Sequence, residues 1–362
     1  CQPTHHAAMS MRSVLRRTGQ ALACATALGS GAGLAHLTHA DAQSGTEWAP
    51  GRDRLLTTTA TPRAPLTVSS TSENAAAANL PVGLAPPAPD PFGEHLRDGM
   101  VMTGATSHRM LLFTFDDGPE LRTTPTLLDT LDELGIKAVF FVNATRFDSD
   151  SPREVAQGEL LKEILRRGHF LGNHTYHHVQ LTDLDNEGIA DELRKNEDHI
   201  FRITGGRPVL VRPPYGAFSP RVARTLSELG YTSMLWNLAT GDTMVRTADD
   251  VAATFERVLR RQEREKGEYG GIVLMHDTHG WSIEGFPRIV AGLRQRNCEL
   301  LASGEELYDF VDDPSVFYRY RGDASTDTLV PPVEPDPTWL EARQATLREE
   351  TARRCGAVAT RE

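Results

Sequence analysis

The chain has 362 residues, 39% of them hydrophobic and 24% charged, and a formal net charge of −11. That length suits one sizeable domain with extensions. The acidic balance argues against general nucleic-acid binding and says little about any local cleft.

The chain opens on Cys1, and Met9 and Met11 stand just before Arg12, Arg16 and Arg17. Residues 21–37 form an apolar Ala/Gly-rich run without acidic residues, and Ala40-Asp41-Ala42 offers a small-residue exit. Basic start, apolar centre and small exit read as upstream residues and a secretory signal peptide over 1–42, cleaved near Ala42. This implies export to the periplasm, cell surface or medium. A membrane anchor is the competing reading, disfavoured by the short glycine-rich centre. Lipid attachment at Cys24 and twin-arginine export through Arg16-Arg17 stay open. No membrane span is expected after cleavage, because charges interrupt every later apolar run. Residues 43–105, dominated by Thr, Ser, Ala and Pro, read as a largely disordered linker with too little apolar surface to offset ordering entropy.

From residue 106 to 311 strand and helix signals alternate. An apolar strand over 110–115 ends in Asp116 and Asp117, then Gly118-Pro119. Neighbouring carboxylates on a strand point to opposite sides, so the two can take different tasks. Helical periodicity follows over 125–134 and 159–167, with Gly135 and Gly168 as stops. In Gly172-Asn173-His174-Thr175-Tyr176-His177-His178, His174 and His178 are four apart, which on a helix puts them on one face. Two histidines and a carboxylate, with Asp117 the natural third, form a common set for a catalytic divalent ion. His177 has the weakest claim. A polar helix is expected over 185–203 and a strand over 208–211. Arg212-Pro213-Pro214-Tyr215-Gly216 then brings a planar cation and stiff backbone to a strand end. The Tyr215 backbone N–H there could stabilise an oxyanion.

A helix over 220–229 leads to a single apolar strand over 231–238 and then Asp242. An amphipathic helix is expected over 248–266. A strongly apolar strand over 272–276 ends in His276-Asp277, where an imidazole is well placed for proton transfer. Asp242 could accept a hydrogen bond from it and raise its basicity, an ordinary turn aspartate being the other reading. A helix over 287–296 closes the domain. Residues 312–362 form an acidic, proline-bearing extension with a helix over 338–354, free to cover the domain's bottom or to float. Of four cysteines, Cys1 and Cys24 fall in the leader; Cys298 and Cys355 are left either as one disulfide or as two free thiols. The β/α alternation argues an α/β fold with a parallel sheet, and site residues at strand C-terminal ends fit a barrel opening on that face.

Taken in order, Thr114-Phe115-Asp116-Asp117-Gly118-Pro119, His174-Thr175-Tyr176-His177-His178, Arg212-Pro213-Pro214-Tyr215, Asp242 and Leu274-Met275-His276 resemble the polysaccharide deacetylases of carbohydrate esterase family 4, the NodB-homology domain. The 138–142 run is similar to the family's second strand. The resemblance implies a distorted (β/α) barrel of about seven parallel strands that removes N-acetyl groups from an N-acetylated glycan such as peptidoglycan, chitin oligomers or exopolysaccharide. It implies Asp116 as general base, Asp117, His174 and His178 as metal ligands, and Arg212 as the residue that positions the base. It further implies an oxyanion role for the Tyr215 N–H, His276 as general acid tuned by Asp242, and Leu274 as a wall of the acetyl pocket. Zn²⁺ is the first choice of ion, with Co²⁺, Ni²⁺ or Mn²⁺ also suited to the set. Tyr215 and Trp281 are candidate sugar-gripping aromatics, and a monomer is expected. The chain departs from the family at Ala239, where an Asp is usual, and at Thr243, where a Trp is usual, which bears on substrate preference. Hydrolysis of another amide or an O-acetyl ester, and a silent carbohydrate-binding protein, are the alternatives.

Overall fold

The apolar strand that ends in Asp116 lies at the heart of a nine-stranded parallel sheet. The computed structural model describes residues 90–97, 99–318 and 333–359. The signal peptide expected over 1–42 and the first part, 43–89, of the linker expected over 43–105 lie outside the described residues. The strands are β1 (Val101–Met102), β2 (Met110–Gly118), β3 (Ala138–Val142), β4 (Phe170–Asn173), β5 (Leu210–Val211), β6 (Thr232–Met234), β7 (Leu238–Ala239), β8 (Gly271–His276) and β9 (Asp309–Phe310). The helices are α1 (Thr124–Leu134), α2 (Pro152–Arg166), α3 (Asn186–Thr204), α4 (Pro220–Glu228), α5 (Ala248–Lys266), α6 (Gly280–Ser303) and α7 (Pro337–Ala359). The strand order is β1-β6-β5-β4-β3-β2-β8-β7, with β9 also on β2. No ladder among the described residues joins β1 to β7, so the barrel is open, a distorted (β/α) barrel.

Both faces of the sheet are covered, as parallel sheets require, and the alternation of β2 shows how. Leu111, Phe113 and Phe115 point outward into the layer of helices, where Phe286 of α6 meets both phenyl rings edge-on. Met110 and Leu112 belong to the opposite, inner cluster with Val139, Phe141, Phe170, Leu210, Met234 and Ile272. Thr114 and Asp116 continue that inward column, so it changes from apolar to polar as it nears the C-terminal mouth. Gly172 leaves room for this packing: a Cβ there would come within 2.4 Å of the Phe141 ring.

Three expectations need correction. Residues 90–105 are not all linker: Leu96 and Met102 are buried in the inner cluster and β1 pairs with β6, because these apolar residues have a sheet edge to cover. The single strand expected over 231–238 is two strands in opposite halves of the sheet, β6 between β1 and β5 and β7 beside β8. The chain leaves the ladder between them because the Met234 and Leu235 carbonyls accept from Arg212, and the Asn237 side chain bonds the Ile272 N–H and Gly270 carbonyl. Finally, α6 starts at Gly280, ahead of Pro287, with Trp281 and Ser282 of its first turn hydrogen-bonded to Asp242.

The chain from β9 into the C-terminal extension covers the bottom. Strand β9 pairs with the N-terminal end of β2, while Val311 and Phe317 enter the inner cluster. Across them lies α7: Arg343 makes two hydrogen bonds to Asp309 at 2.9 and 2.8 Å, and Gln344 pairs with both backbone groups of Leu307. Cys298 of α6 and Cys355 of α7 are joined in a disulfide, with Cα atoms 6.0 Å apart. No helix among the described residues is long and apolar enough to cross a membrane.

Candidate active site

At the mouth, β2 delivers both carboxylates to the same place. They do not part to opposite sides, because Asp117 adopts φ 72° and the β2–β3 register shifts between Asp116 and Gly118. The turn brings Asp117 Oδ1 within 3.4 Å of His174 Nε2 and 3.1 Å of His178 Nε2, while Asp116 Oδ2 lies 3.7 Å from the same His174 nitrogen. Nor do the histidines ride a helix. They sit in the loop after β4, where Thr175 and His178 take φ 65° and 57°. A left-handed loop thus achieves what helical spacing had suggested. Asp117, Thr175, His178 and Tyr215 are all the non-glycine residues with positive φ among those described. Such conformations cost on the order of 1–3 kcal/mol each and persist only where surroundings over-determine them.

Three asparagines do that here. Asn143 donates from Nδ2 to the His174 and Thr175 carbonyls at 2.6 and 3.0 Å. Asn173 Oδ1 accepts from the Thr175 N–H and from Asn196 Nδ2. Asn196 also bonds the Val142 carbonyl and the Ala144 N–H. Sequence reading missed this frame, since isolated asparagines in different segments carry no local signal.

The three donors fit a divalent ion. Asp117 Oδ1 is buried and has no hydrogen-bond partner, an orphan polar atom aimed at two imidazoles. Two atoms each bonded to a tetrahedral zinc-like ion lie roughly 3.4 Å apart, close to the 3.4 and 3.1 Å found. His174 Nδ1 donates to the Arg212 carbonyl at 2.7 Å, which leaves the Nε2 lone pair facing the site. His178 Nδ1 lies 3.2 Å from the Tyr215 hydroxyl. Burial raises the Asp117 carboxyl pKa, but the two facing rings outweigh it and hold the group well below the usual range. His177 points away and pairs with Glu192 at 2.6 Å.

Asp116 is 2% exposed and Arg212 fully buried. Arg212 Nη1 donates to Asp116 Oδ1 at 2.8 Å and to Thr114 Oγ1 at 2.6 Å, and its remaining nitrogens bond the Met234 and Leu235 carbonyls. The Phe141 ring lies 4.3 Å from the guanidinium carbon. Burial lowers the arginine's pKa while Asp116 opposes it; the group stays charged. One oxygen of Asp116 is thereby fixed and the other turned toward the donor set.

His276 pairs with Asp116 across the β2–β8 ladder. Its Nδ1 lies 2.9 Å from Asp242 Oδ1, and its backbone N–H donates to Oδ2 at 2.7 Å. Burial pushes the imidazole pKa down, but Asp242, helped by Asp116 and Asp117, lifts it to about 9. The half-buried Leu274 shares the inward face of β8. Asp277 points the other way, fully buried against Thr124 and Gly118, and burial pushes it up to about 7. Tyr215, 68% exposed, stands at the rim with φ 60° after two prolines. The Trp281 indole is engaged by the protein: it stacks on His279, lies under Arg246, and donates its N–H to the Asp242 carbonyl.

Residues 103–234 match the family model described as polysaccharide deacetylase. The chain is 34% identical over 213 residues to a chitin deacetylase of Arthroderma benhamiae, covering 58% of this chain and 55% of that one. It is 30% identical over 204 residues to the peptidoglycan-N-acetylglucosamine deacetylase PgdA of Listeria monocytogenes, covering 56% and 40%. The chain thus spans about half the length of the curated relatives it matches. The structure of the chitin deacetylase from Colletotrichum lindemuthianum superposes with a TM-score of 0.49 at 26% identity, covering 55% of this chain and 87% of that one. Residues 103–234 thus carry the polysaccharide deacetylase match, the family that the sequence motifs resemble.

Proposed function

We propose that this protein is a metal-dependent hydrolase that removes N-acetyl groups from an N-acetylglucosamine-type polysaccharide. The observation that carries the reading is the convergence, at one mouth, of an arginine-held carboxylate, a carboxylate-held histidine and a three-donor set with an orphan oxygen. A divalent ion on Asp117, His174 and His178, with Zn²⁺ the first choice, would supply the Lewis acidity that makes water nucleophilic at neutral pH. Asp116 accepts the proton of the attacking water through Oδ2, its other oxygen being held by Arg212. His276, charged at neutral pH, donates its Nε2 proton to the leaving amine, which would otherwise depart as a very poor anion. Asp242 holds that ring through Nδ1 and favours the charged form. The Tyr215 backbone N–H is the donor for the developing oxyanion, and Leu274 walls the acetyl methyl. The relatives' substrates, chitin and peptidoglycan, are the first candidates. The Cys298–Cys355 disulfide supports an oxidising compartment outside the cytoplasm.

The test is acetate release by the full chain from chitin oligomers and from purified peptidoglycan, after chelation and after adding back metal. Release that is lost on chelation and restored by metal is the expected result. No release from either polymer, with metal shown to be bound, would overturn the reading.

A further inference from the structure

The carboxylate of Asp242 serves His276 with both oxygens, yet its own loop gives it little support. It follows the two-residue strand β7; Thr240 ties the loop to β8, with its N–H and hydroxyl both donating to the Leu274 carbonyl, and the Met244 and Val245 N–H groups close a turn on the Gly241 carbonyl, but none of these touches the carboxylate. Support comes instead from the first turn of α6. Ser282 Oγ donates to Asp242 Oδ2 at 2.6 Å, and Trp281 Nε1 donates to the Asp242 carbonyl at 2.7 Å. One residue grips the side chain and its neighbour grips the backbone. Both stand on a 24-residue helix whose buried residues anchor it in the outer core.

A serine this early in a helix usually caps it. Ser282 does not: His279 holds the cap position, and the Ser282 side chain is fully buried with its hydroxyl on Asp242. A buried hydroxyl needs a partner, and this one is spent on the carboxylate that holds the histidine. The positive end of the helix favours the anion in the same place.

We propose that Ser282, assisted by Trp281, is a positioning residue that locks the Asp242 carboxylate in the orientation serving both His276 Nδ1 and the His276 N–H. The clamp itself is geometric; its importance for turnover rests on the proposed function. The charged and titratable groups that act on His276 are Asp242 from the loop before α5, Asp116 and Asp117 from β2, Asp277 next to it in sequence, and His279 at the cap of α6. Of these the Ser282 hydroxyl bonds Asp242, while the Ser282 backbone N–H, which a side-chain substitution leaves in place, donates to the His279 carbonyl.

The test is a histidine NMR titration of the full chain loaded with Zn²⁺, with the His276 signals assigned from a His276→Asn variant. Freed from Ser282, the carboxylate swings and the ring loses its partner. Ser282→Ala should therefore lower the His276 pKa by about one unit. Ser282→Thr, which keeps the hydroxyl, should restore it. Trp281→Phe, which removes only the indole N–H, should shift it the same way by less and covers the case in which Ser282→Ala does not fold. In turnover, Ser282→Ala should reduce kcat about tenfold, leave KM unchanged and move the alkaline limb to lower pH. An unchanged His276 pKa in Ser282→Ala overturns the proposal. So does a raised one, which would mean that Ser282 draws charge from Asp242 rather than holding it. If the wild type releases no acetate, the functional reading fails, while the titration still decides the clamp.

Discussion

The two ends of the barrel are built by opposite rules. At the bottom, Met110, Leu112, Val311 and Phe317 fill the interior, and α7 is fastened by Arg343 on Asp309, Gln344 on Leu307 and a disulfide. The groups that fasten α7 meet conventional partners, although Arg109 Nε and Thr351 Oγ1 nearby are buried without one. At the mouth the same inward column turns to Thr114 and Asp116, four residues hold left-handed backbone, and Asp117 Oδ1 is left without a hydrogen-bond partner. Left-handed backbone gathers at one end, and the disulfide stands at the other. The comparison separates what holds the fold from what the site does.

Changes at the mouth should strike chemistry, and those at the bottom should strike stability. The largest effect expected is from His174→Ala, which should lose the bound metal in elemental analysis together with acetate release. Asp116→Asn should lower kcat by about 10²–10⁴-fold, the usual worth of a general base, with metal content unchanged. Should that variant retain full activity, Asp116 is not the base.

The next effect is on pH. A histidine raised to about 9 is charged below that value and loses its proton as pH rises through it. Activity that needs His276 as an acid should therefore persist through neutrality and fall above pH about 9. A fall centred near an ordinary histidine pKa would mean that Asp242 does not support the ring in solution.

The bottom should respond in the reverse sense. Cys298→Ser should destabilise the fold by about 2–4 kcal/mol, read as a lower midpoint in denaturant, and leave kcat unchanged at temperatures where the protein is folded. A loss of kcat without a loss of stability would couple the two ends and break the contrast.

The histidine site itself shows what local pattern can and cannot convey. The spacing of His174 and His178 pointed to two residues that do come together, but by the wrong geometry. Residue type and distance along the chain limit which side chains can share a site, but the backbone path between them is set by Asn143, Asn173 and Asn196, which come from three separate segments. The apolar run over 231–238 was readable as strand, and its division was not. Only the assembled sheet offers β5 on one side and β8 on the other, with Arg212 drawing in the carbonyls between. Ser282 and Trp281 likewise gain their roles from the approach of α6 to the Asp242 loop.

What the sequence determined by itself was the β/α alternation, the strand ends that carry Asp116, Arg212 and His276, and the residue types able to form a metal site. These follow from hydrophobic periodicity and side-chain chemistry, which are local. The tertiary structure alone decided that both carboxylates face one mouth, that Cys298 meets Cys355, that Val101–Met102 join the sheet and that α7 closes the bottom. Each of these depends on contacts between segments far apart in the chain, whose free energy exists only once the sheet has brought them together.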